Sequence, residues 1–254
     1  MELGLRGKAV LVTGGSKGIG LACARAFLAE GARVAICSRS QANVDAALAQ
    51  LPGAVGFAAN LSDAAAAEAL LEKVGPLDVL VNSAGAAARQ PAEDLTAAHW
   101  HAAMDAKFFS YIHVMSPAAQ AMARRGSGVI VNIIGQGGKI ASPQHVAGGA
   151  ANAALMLATA GLAAAFAPQG VRVVGLNPGT TETDRVLSRI TALARSEGIT
   201  EADARARLQA GLRLGRFAQP QDIANAAVFL ASDAASYISG VNISMDGLQT
   251  ATIL

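Results

Sequence analysis

The chain has 254 residues and a formal net charge of +2, with 52% hydrophobic and 15% charged residues. That is enough for one sizeable α/β core, and the scattering of Lys and Arg argues against a nucleic-acid-binding stripe. Cys23 and Cys37 lack metal-ligand spacing and read as small core residues in a reducing compartment. The first residues, Met1-Glu2-Leu3-Gly4-Leu5-Arg6, do not form a secretory signal. The longest apolar runs are broken by Gly, Asn or charge, so no membrane span is expected. A cytoplasmic protein without a membrane partner is the expectation.

The first strong signal is the apolar run Lys8-Ala9-Val10-Leu11-Val12, followed by Thr13-Gly14-Gly15-Ser16-Lys17-Gly18-Ile19-Gly20 and a helical pattern from Leu21 to Glu30. Strand, glycine-rich turn and helix together lay a pyrophosphate on a helix N-terminus. In this reading Gly14 opens the turn, Gly18 admits phosphate close to backbone, and Gly20 lets helix pack on strand. A second strand, Ala32-Arg33-Val34-Ala35-Ile36-Cys37, ends at Ser38-Arg39. A carboxylate there would suit ribose hydroxyls, whereas Arg39, with Lys17 in the loop, suits the 2′-phosphate of NADP(H).

Ala54–Ala59 reads as a third strand before Asn60-Leu61-Ser62-Asp63, where Ser62 is the expected cap of a helix over 64–74. A fourth strand over 77–81 leads into Asn82-Ser83-Ala84-Gly85. One long helix is expected over 96–125, capped by Thr96 and ended by Gly126. The fifth strand spans 128–134 and a second long helix 146–167. The sixth strand, 171–176, enters Asn177-Pro178-Gly179-Thr180-Thr181-Glu182-Thr183. A polar helical excursion fills 181–217, with a capping box at Thr200 and Asp203; a helix over 220–232 and a strand over 241–245 complete the chain. The alternation implies a single domain with a Rossmann-like, doubly wound, seven-stranded parallel sheet and helices on both faces.

Thr13–Gly20, Asn82-Ser83-Ala84-Gly85, Asn177-Pro178-Gly179 with Thr181 and Thr183, and the C-terminal Gly215-Arg216-Phe217, Asp222-Ile223-Ala224, Phe229–Asp233 and Asp246-Gly247 carry a resemblance. Over essentially its whole length the chain resembles the short-chain dehydrogenase/reductases of the NADP-preferring, single-domain kind. The resemblance implies a cofactor site of Gly14, Ser16, Lys17, Gly18, Ile19, Gly20, Ser38, Arg39, Asn60, Leu61, Asn82, Ala84, Gly85, Asn152, Pro178, Gly179, Thr181 and Thr183. Asn60 stands where the family usually has an adenine-contacting Asp. The resemblance also implies a homotetramer built on the two long helices.

The family places a Ser, a Tyr and a Lys, supported by an Asn, around the carbonyl and the nicotinamide ribose. Those positions fall here on Gly135, Gly148, Asn152 and Lys107, so none of the four is kept. Hydride delivery to a carbonyl needs a proton donor and hydrogen-bond donors at the developing alkoxide, and glycine offers no side chain for either. His145 lies one turn before Gly148, and imidazole, with an unperturbed pKa of about 6.5, suits proton transfer near neutrality. Lys107 can supply a cation, Asn152 an amide to the ribose, and Gln136 or Gln144 a hydrogen bond to a carbonyl oxygen.

Two other readings stay open: an NADP(H)- or partner-binding protein without catalysis, and a non-redox lyase or isomerase using the space at Gly148. The excursion over 181–217, read as a substrate lid, carries Arg185, Arg189, Arg195, Arg205, Arg207, Arg213 and Arg216. They read first as a solvated helical face and second as a cradle for an anionic substrate.

Overall fold

The computed structural model describes residues 2–85 and 87–249. Seven strands form one sheet: β1 (Ala9–Thr13), β2 (Arg33–Ser38), β3 (Val55–Ala58), β4 (Val79–Asn82), β5 (Gly128–Ile133), β6 (Val171–Pro178) and β7 (Asn242–Met245). All pairings are parallel, in the order β3-β2-β1-β4-β5-β6-β7. Continuous apolar runs such as Val10-Leu11-Val12 and Val79-Leu80-Val81 have no polar face, and a sheet covered on both sides is where they fit.

On one face α1 (Gly18–Ala29) and α9 (Pro220–Ala231) pack over the sheet through Phe27, Ile223, Ala227 and Leu230. On the other, α3 (Ala64–Val74), α5 (Ser110–Arg125) and α6 (Val146–Phe166) cover Leu11, Leu80, Ile130 and Val173 with Leu70, Met115, Met122 and Ala163. The expected single-domain, doubly wound α/β fold is the fold observed. Cys23 and Cys37 are free and buried, and burial pushes both thiols up to about 12, which leaves them inert.

Several elements differ from expectation, each for a local reason. A short helix α2 (Gln41–Leu48), not anticipated, starts where the Ser40 hydroxyl accepts the Asn43 amide. The cap of α3 is Asp63, whose carboxylate accepts the amides of Ala65 and Ala66; Ser62 instead donates to the Asp105 carbonyl at 3.1 Å. The helix expected over 96–125 is three pieces: α4 (Ala97–Ala103), a π-helical segment (Met104–Phe109) and α5. At the box of α8 (Glu201–Ala210), Thr200 accepts the Asp203 amide, while the Asp203 carboxylate takes the Thr200 hydroxyl rather than a backbone amide.

The expectation that no segment reaches the length of a membrane span is also corrected. Residues 146–169 are long and apolar enough by length and composition, with a mean hydropathy of 1.6. Glycine and one Asn do not offset a run of Ala and Leu in such an average. In the fold this helix lies on the sheet, with Ala151, Leu155, Thr159 and Ala163 buried, while Leu157 faces outward.

Strand order reverses between β1 and β4, and in open parallel sheets ligands bind outside the strands' C-terminal ends at such a point. Here the register places Thr13 beside Asn82 and Asn82 beside Asn132. The loops after β1, β4, β5 and β6 therefore open on one crevice.

Candidate active site

The cofactor side of the crevice is built from backbone. Gly14 has φ +65°, a conformation that L side chains rarely adopt. A Cβ on it would lie 2.8 Å from both the Ala84 Cα and the Ser83 carbonyl oxygen. A Cβ at Gly20 would come within 2.3 Å of the Gly14 carbonyl oxygen. The turn is thus tight against the start of α1 and against the loop after β4. The Thr13 hydroxyl accepts the amides of Ser83 at 3.1 Å and Ala84 at 3.3 Å, which fixes the two loops to each other. Such a side-chain-free cradle at the head of α1 fits a dinucleotide pyrophosphate.

Ser16 donates to Ser38 at 3.0 Å, joining the glycine turn to the end of β2. Lys17 and Arg39 are exposed, and among the described residues neither pairs with a carboxylate. Asn60 is exposed, with its side-chain oxygen accepting the Ser62 amide, whereas the Leu61 side chain is buried in the core and leaves only backbone to a ligand. Ile19 and Ala84 are half-buried beside the crevice, and Gly85 is exposed at its edge. Pro178 ends β6, Gly179 donates to the Met245 carbonyl at 3.1 Å, and Thr181 donates to Gly179 at 3.2 Å. Thr183, the residue before α7 (Asp184–Glu197), brings its methyl to 3.2 Å from where a Gly18 Cβ would stand. The 178–183 segment therefore closes over the glycine turn.

The substrate side gathers His145, Asn152 and three glycines. His145 immediately precedes α6; it pairs with Gln90 in an isolated parallel bridge, and Gln90 donates to the Gln144 carbonyl at 3.2 Å. Held this way, the imidazole turns back over its own helix. A Cβ at Gly148 would lie 2.1 Å from His145 Cε1 and 2.7 Å from its Nδ1. A Cβ at Gly137 would lie 3.2 Å from His145 Cδ2 and 3.4 Å from Asn152 Nδ2, and one at Gly135 would lie 3.5 Å from Asn152 Nδ2. The ring occupies the volume in which a side chain at 148 would begin. Its Nδ1 is buried without a hydrogen-bond partner among the described residues. Burial first, then the charges of Arg89 and Lys107, hold the His145 pKa below its ordinary value.

Lys107 lies in the π-helical segment and is buried. Its Nζ donates to the Tyr111 hydroxyl at 2.7 Å and to the Ile133 carbonyl at 3.1 Å, and Tyr111 donates to the same carbonyl. Burial, with a smaller contribution from Arg185, brings the Lys107 pKa down to about 7; burial raises that of Tyr111. Lys107 therefore anchors the end of β5 and reaches His145 through its field rather than by contact. Tyr111 was not singled out from sequence; its place four residues after Lys107, one helical turn away, was the available signal.

Gln136 is buried and donates through Nε2 to Asp246 at 3.1 Å, leaving its Oε1 without a partner among the described residues. The atom it leaves free is an acceptor, where a donor to a carbonyl was expected. Gln144 is exposed and contributes its carbonyl to the Gln90 amide. Asn177, buried in β6, leaves both side-chain polar atoms without a partner among the described residues; in sequence it read only as part of Asn177-Pro178-Gly179. No group of three or more His, Cys, Asp or Glu placed to hold a metal occurs among the described residues.

Comparison with known proteins agrees with this architecture. A family model described as enoyl-(acyl carrier protein) reductase matches residues 14–247. The chain is 37% identical over 251 residues to a D-threitol dehydrogenase of Mycolicibacterium smegmatis, covering 96% of this chain and 93% of that protein. It is 32% identical over 248 residues to the L-xylulose reductase of Mesocricetus auratus, covering 97% and 98%. The solved structure of L-sorbose reductase from Gluconobacter frateurii, complexed with NADPH and L-sorbose, superposes with a TM-score of 0.95 at 25% identity, covering 100% of both chains. The chain belongs to the short-chain dehydrogenase/reductase family and is an oxidoreductase.

Burial of Lys107 has a measurable consequence. Its folded pKa, about 7, lies below the ordinary 10.5, so folding favours the neutral amine. The penalty is fully present below pH 7 and is relieved as pH rises toward 10.5. Between pH 7 and pH 9 this contributes on the order of 2 kcal/mol of added stability. Chemical denaturation should show that rise in the native protein, and a Lys107→Met variant should be more stable at pH 7 and lack it.

Proposed function

We propose that the protein is an NADP(H)-dependent oxidoreductase interconverting a secondary alcohol and a ketone on a polyhydroxylated substrate, with His145 exchanging the proton. The observation that carries this reading is the His145 ring over Gly148, with Nδ1 buried and unpartnered among the described residues and the Cδ2 edge facing the same space as Asn152 Nδ2. The relatives named as polyol and ketose enzymes support the substrate class. The buried Gln136 Oε1 and the Asn177 side-chain amide, unpartnered among the described residues, support it too, since buried polar groups call for partners and hydroxyl groups supply them.

The catalytic set is non-standard. The position that holds Ser in the family is Gly135, at φ +120°, where any side chain would be strained, so the loop itself is shaped for glycine. A nicotinamide, when bound, supplies the hydride acceptor or donor. In alcohol oxidation the hydroxyl proton passes to neutral His145, which becomes imidazolium, while the carbon loses hydride. Asn152 Nδ2 donates to the oxygen or to the ribose beside it, Lys107 tunes His145 through its charge, and residues 181–217 cover the substrate as a lid.

Because the His145 pKa is lowered, the ring is neutral and ready to accept a proton above pH 6.5. The acidic limb of kcat/KM for alcohol oxidation should therefore be centred below pH 6.5. His145→Gln should lower kcat by about 10²–10⁴-fold and remove that limb, with the NADPH Kd unchanged. If the variant keeps full turnover, the proton belongs to another group. If the native protein binds NADPH and turns over no polyol or ketose, the reading as a cofactor-binding protein without catalysis takes its place.

Preference for the 2′-phosphate is assigned to Lys17 and Arg39, both exposed and unpaired beside Ser16 and Ser38. Lys17→Ala with Arg39→Asp should weaken NADPH binding by about 10–100-fold in fluorescence titration, the equivalent of about 1.4–2.8 kcal/mol, while NADH binding changes little.

The small outward residues of α6, with Leu157 exposed, support assembly of four copies through α5 and α6. Light scattering should give a tetramer that Leu157→Glu dissociates.

A further inference from the structure

We infer that the substrate carries an anionic group, a carboxylate or a phosphate, seated by Arg89, Arg185 and Arg189 at the mouth of the His145 pocket. The inference rests on the reading of that pocket as the substrate site and narrows the substrate class.

Arg185 and Arg189 stand one helical turn apart on α7, while Val186, Ile190 and Ala194 of the same helix are buried with Leu212 and Phe217. The head of α7 lies against the cofactor turn through Thr183. Across the mouth, Arg89 immediately precedes Gln90, the residue bridged to His145. The charges interact across this space. Arg89 depresses the proton affinity of both His145 and Arg189, and Arg185 that of Lys107. Loop 89 and the exposed side of α7 thus place three guanidiniums around one opening, with Lys107 buried behind them.

Like charges one turn apart oppose a helix, and guanidiniums left without a carboxylate oppose each other. Three of the lid's other arginines are paired with carboxylates, while Arg195 and Arg213 have no such pair among the described residues. Arg205 pairs with Glu182, Arg207 with Glu197 and Arg216 with Asp222. Among the described residues, Arg89, Arg185 and Arg189 have no such partner. For Arg185 and Arg189 the carboxylates nearest in the chain are Asp184, in the first turn of α7, and Glu182, which Arg205 takes; for Arg89 they are Glu93 and Asp94. Three guanidiniums gathered at the pocket mouth without a carboxylate among them match a ligand carboxylate or phosphate, which Arg binds through paired N–H donors.

The test compares ribitol, ribonate and ribitol 5-phosphate as ligands of the NADP⁺-loaded protein, by calorimetry and thermal shift. The acid, the phosphate ester or both should bind at least tenfold more tightly than ribitol, the stronger of the two identifying the anion. The advantage should shrink with added salt and vanish in Arg89→Ala/Arg189→Ala, while NADPH affinity stays as in the native protein. Arg207→Ala should retain it. Equal binding of the neutral parent, or no binding of either anion, overturns the inference. So does an equal loss of NADPH affinity in the double variant, which would place these arginines on the cofactor's phosphates. Tight anion binding without any nicotinamide absorbance change would leave the anion seat standing and remove the redox reading, so the two failures are distinguishable.

Discussion

A chain of buried side-chain hydrogen bonds runs across the C-terminal ends of the central strands. The Thr13 hydroxyl donates to Asn82 Oδ1, Asn82 Nδ2 donates to Asn132 Oδ1 at 2.9 Å, and Asn132 Nδ2 donates to the Thr159 hydroxyl at 2.9 Å. Thr159 in turn donates to the Leu155 carbonyl of its own helix. A parallel sheet ends in frayed loops unless something ties them, and a buried polar chain with its members satisfied is a rigid tie. The tie joins three strands to α6. Because Thr13 also takes the Ser83 and Ala84 amides, the cofactor turn and the middle of α6 are set by one continuous network. Removing any amide in it would leave a buried neighbour unpaired, a loss of about 1–3 kcal/mol.

The substrate side depends on a second constraint, the buried amine of Lys107, whose pKa burial brings down to about 7. An ammonium removed from water is tolerated where strong acceptors meet it, and here the Tyr111 hydroxyl and the Ile133 carbonyl do so. The π-helical turn accompanies this arrangement; such turns displace the ladder of backbone bonds and occur frequently at functional sites. Both side chains converge on Ile133, two residues before Gly135. The loop that carries Gly135 and Gln136 is therefore anchored from the facing helix, and the charge that anchors it also acts on His145.

Legibility in the sequence followed physical causes. Strands β1 and β4 were legible because a parallel strand covered on both faces is apolar along its length, and their ends moved by a residue or two. The glycine turn was legible because Gly14 and Gly20 admit no Cβ. The break in 96–125 was hidden, since Met104-Asp105-Ala106-Lys107-Phe108-Phe109 contains no Gly or Pro to mark it. The Ser62 cap went to Asp63 because a carboxylate one residue on reaches two amides at once. Lys107 was placed at the site by the family resemblance, but its contacts depend on Tyr111 and on a β5 carbonyl far away in sequence. His145 was picked as a neighbour of Gly148, whereas the turn of its ring follows from the bridge to Gln90, 55 positions earlier, which spacing along one helix does not reveal.

The cationic surround and the lowered proton affinity of His145 belong to one electrostatic argument. Burial first, then Arg89 and Lys107, disfavour imidazolium, so the resting ring is a proton acceptor, the state that alcohol oxidation uses. The same field opposes the imidazolium that oxidation produces. An anion seated against Arg89 would neutralise part of that field just as the proton arrives, and the charged ring would become easier to form with substrate in place than without it. The benefit appears only when the substrate bears the charge, so the surround would select the substrate and assist its proton transfer by the same interaction. A neutral polyol in the same pocket would meet a neutral ring with its hydroxyl and leave the repulsion among the arginines unrelieved.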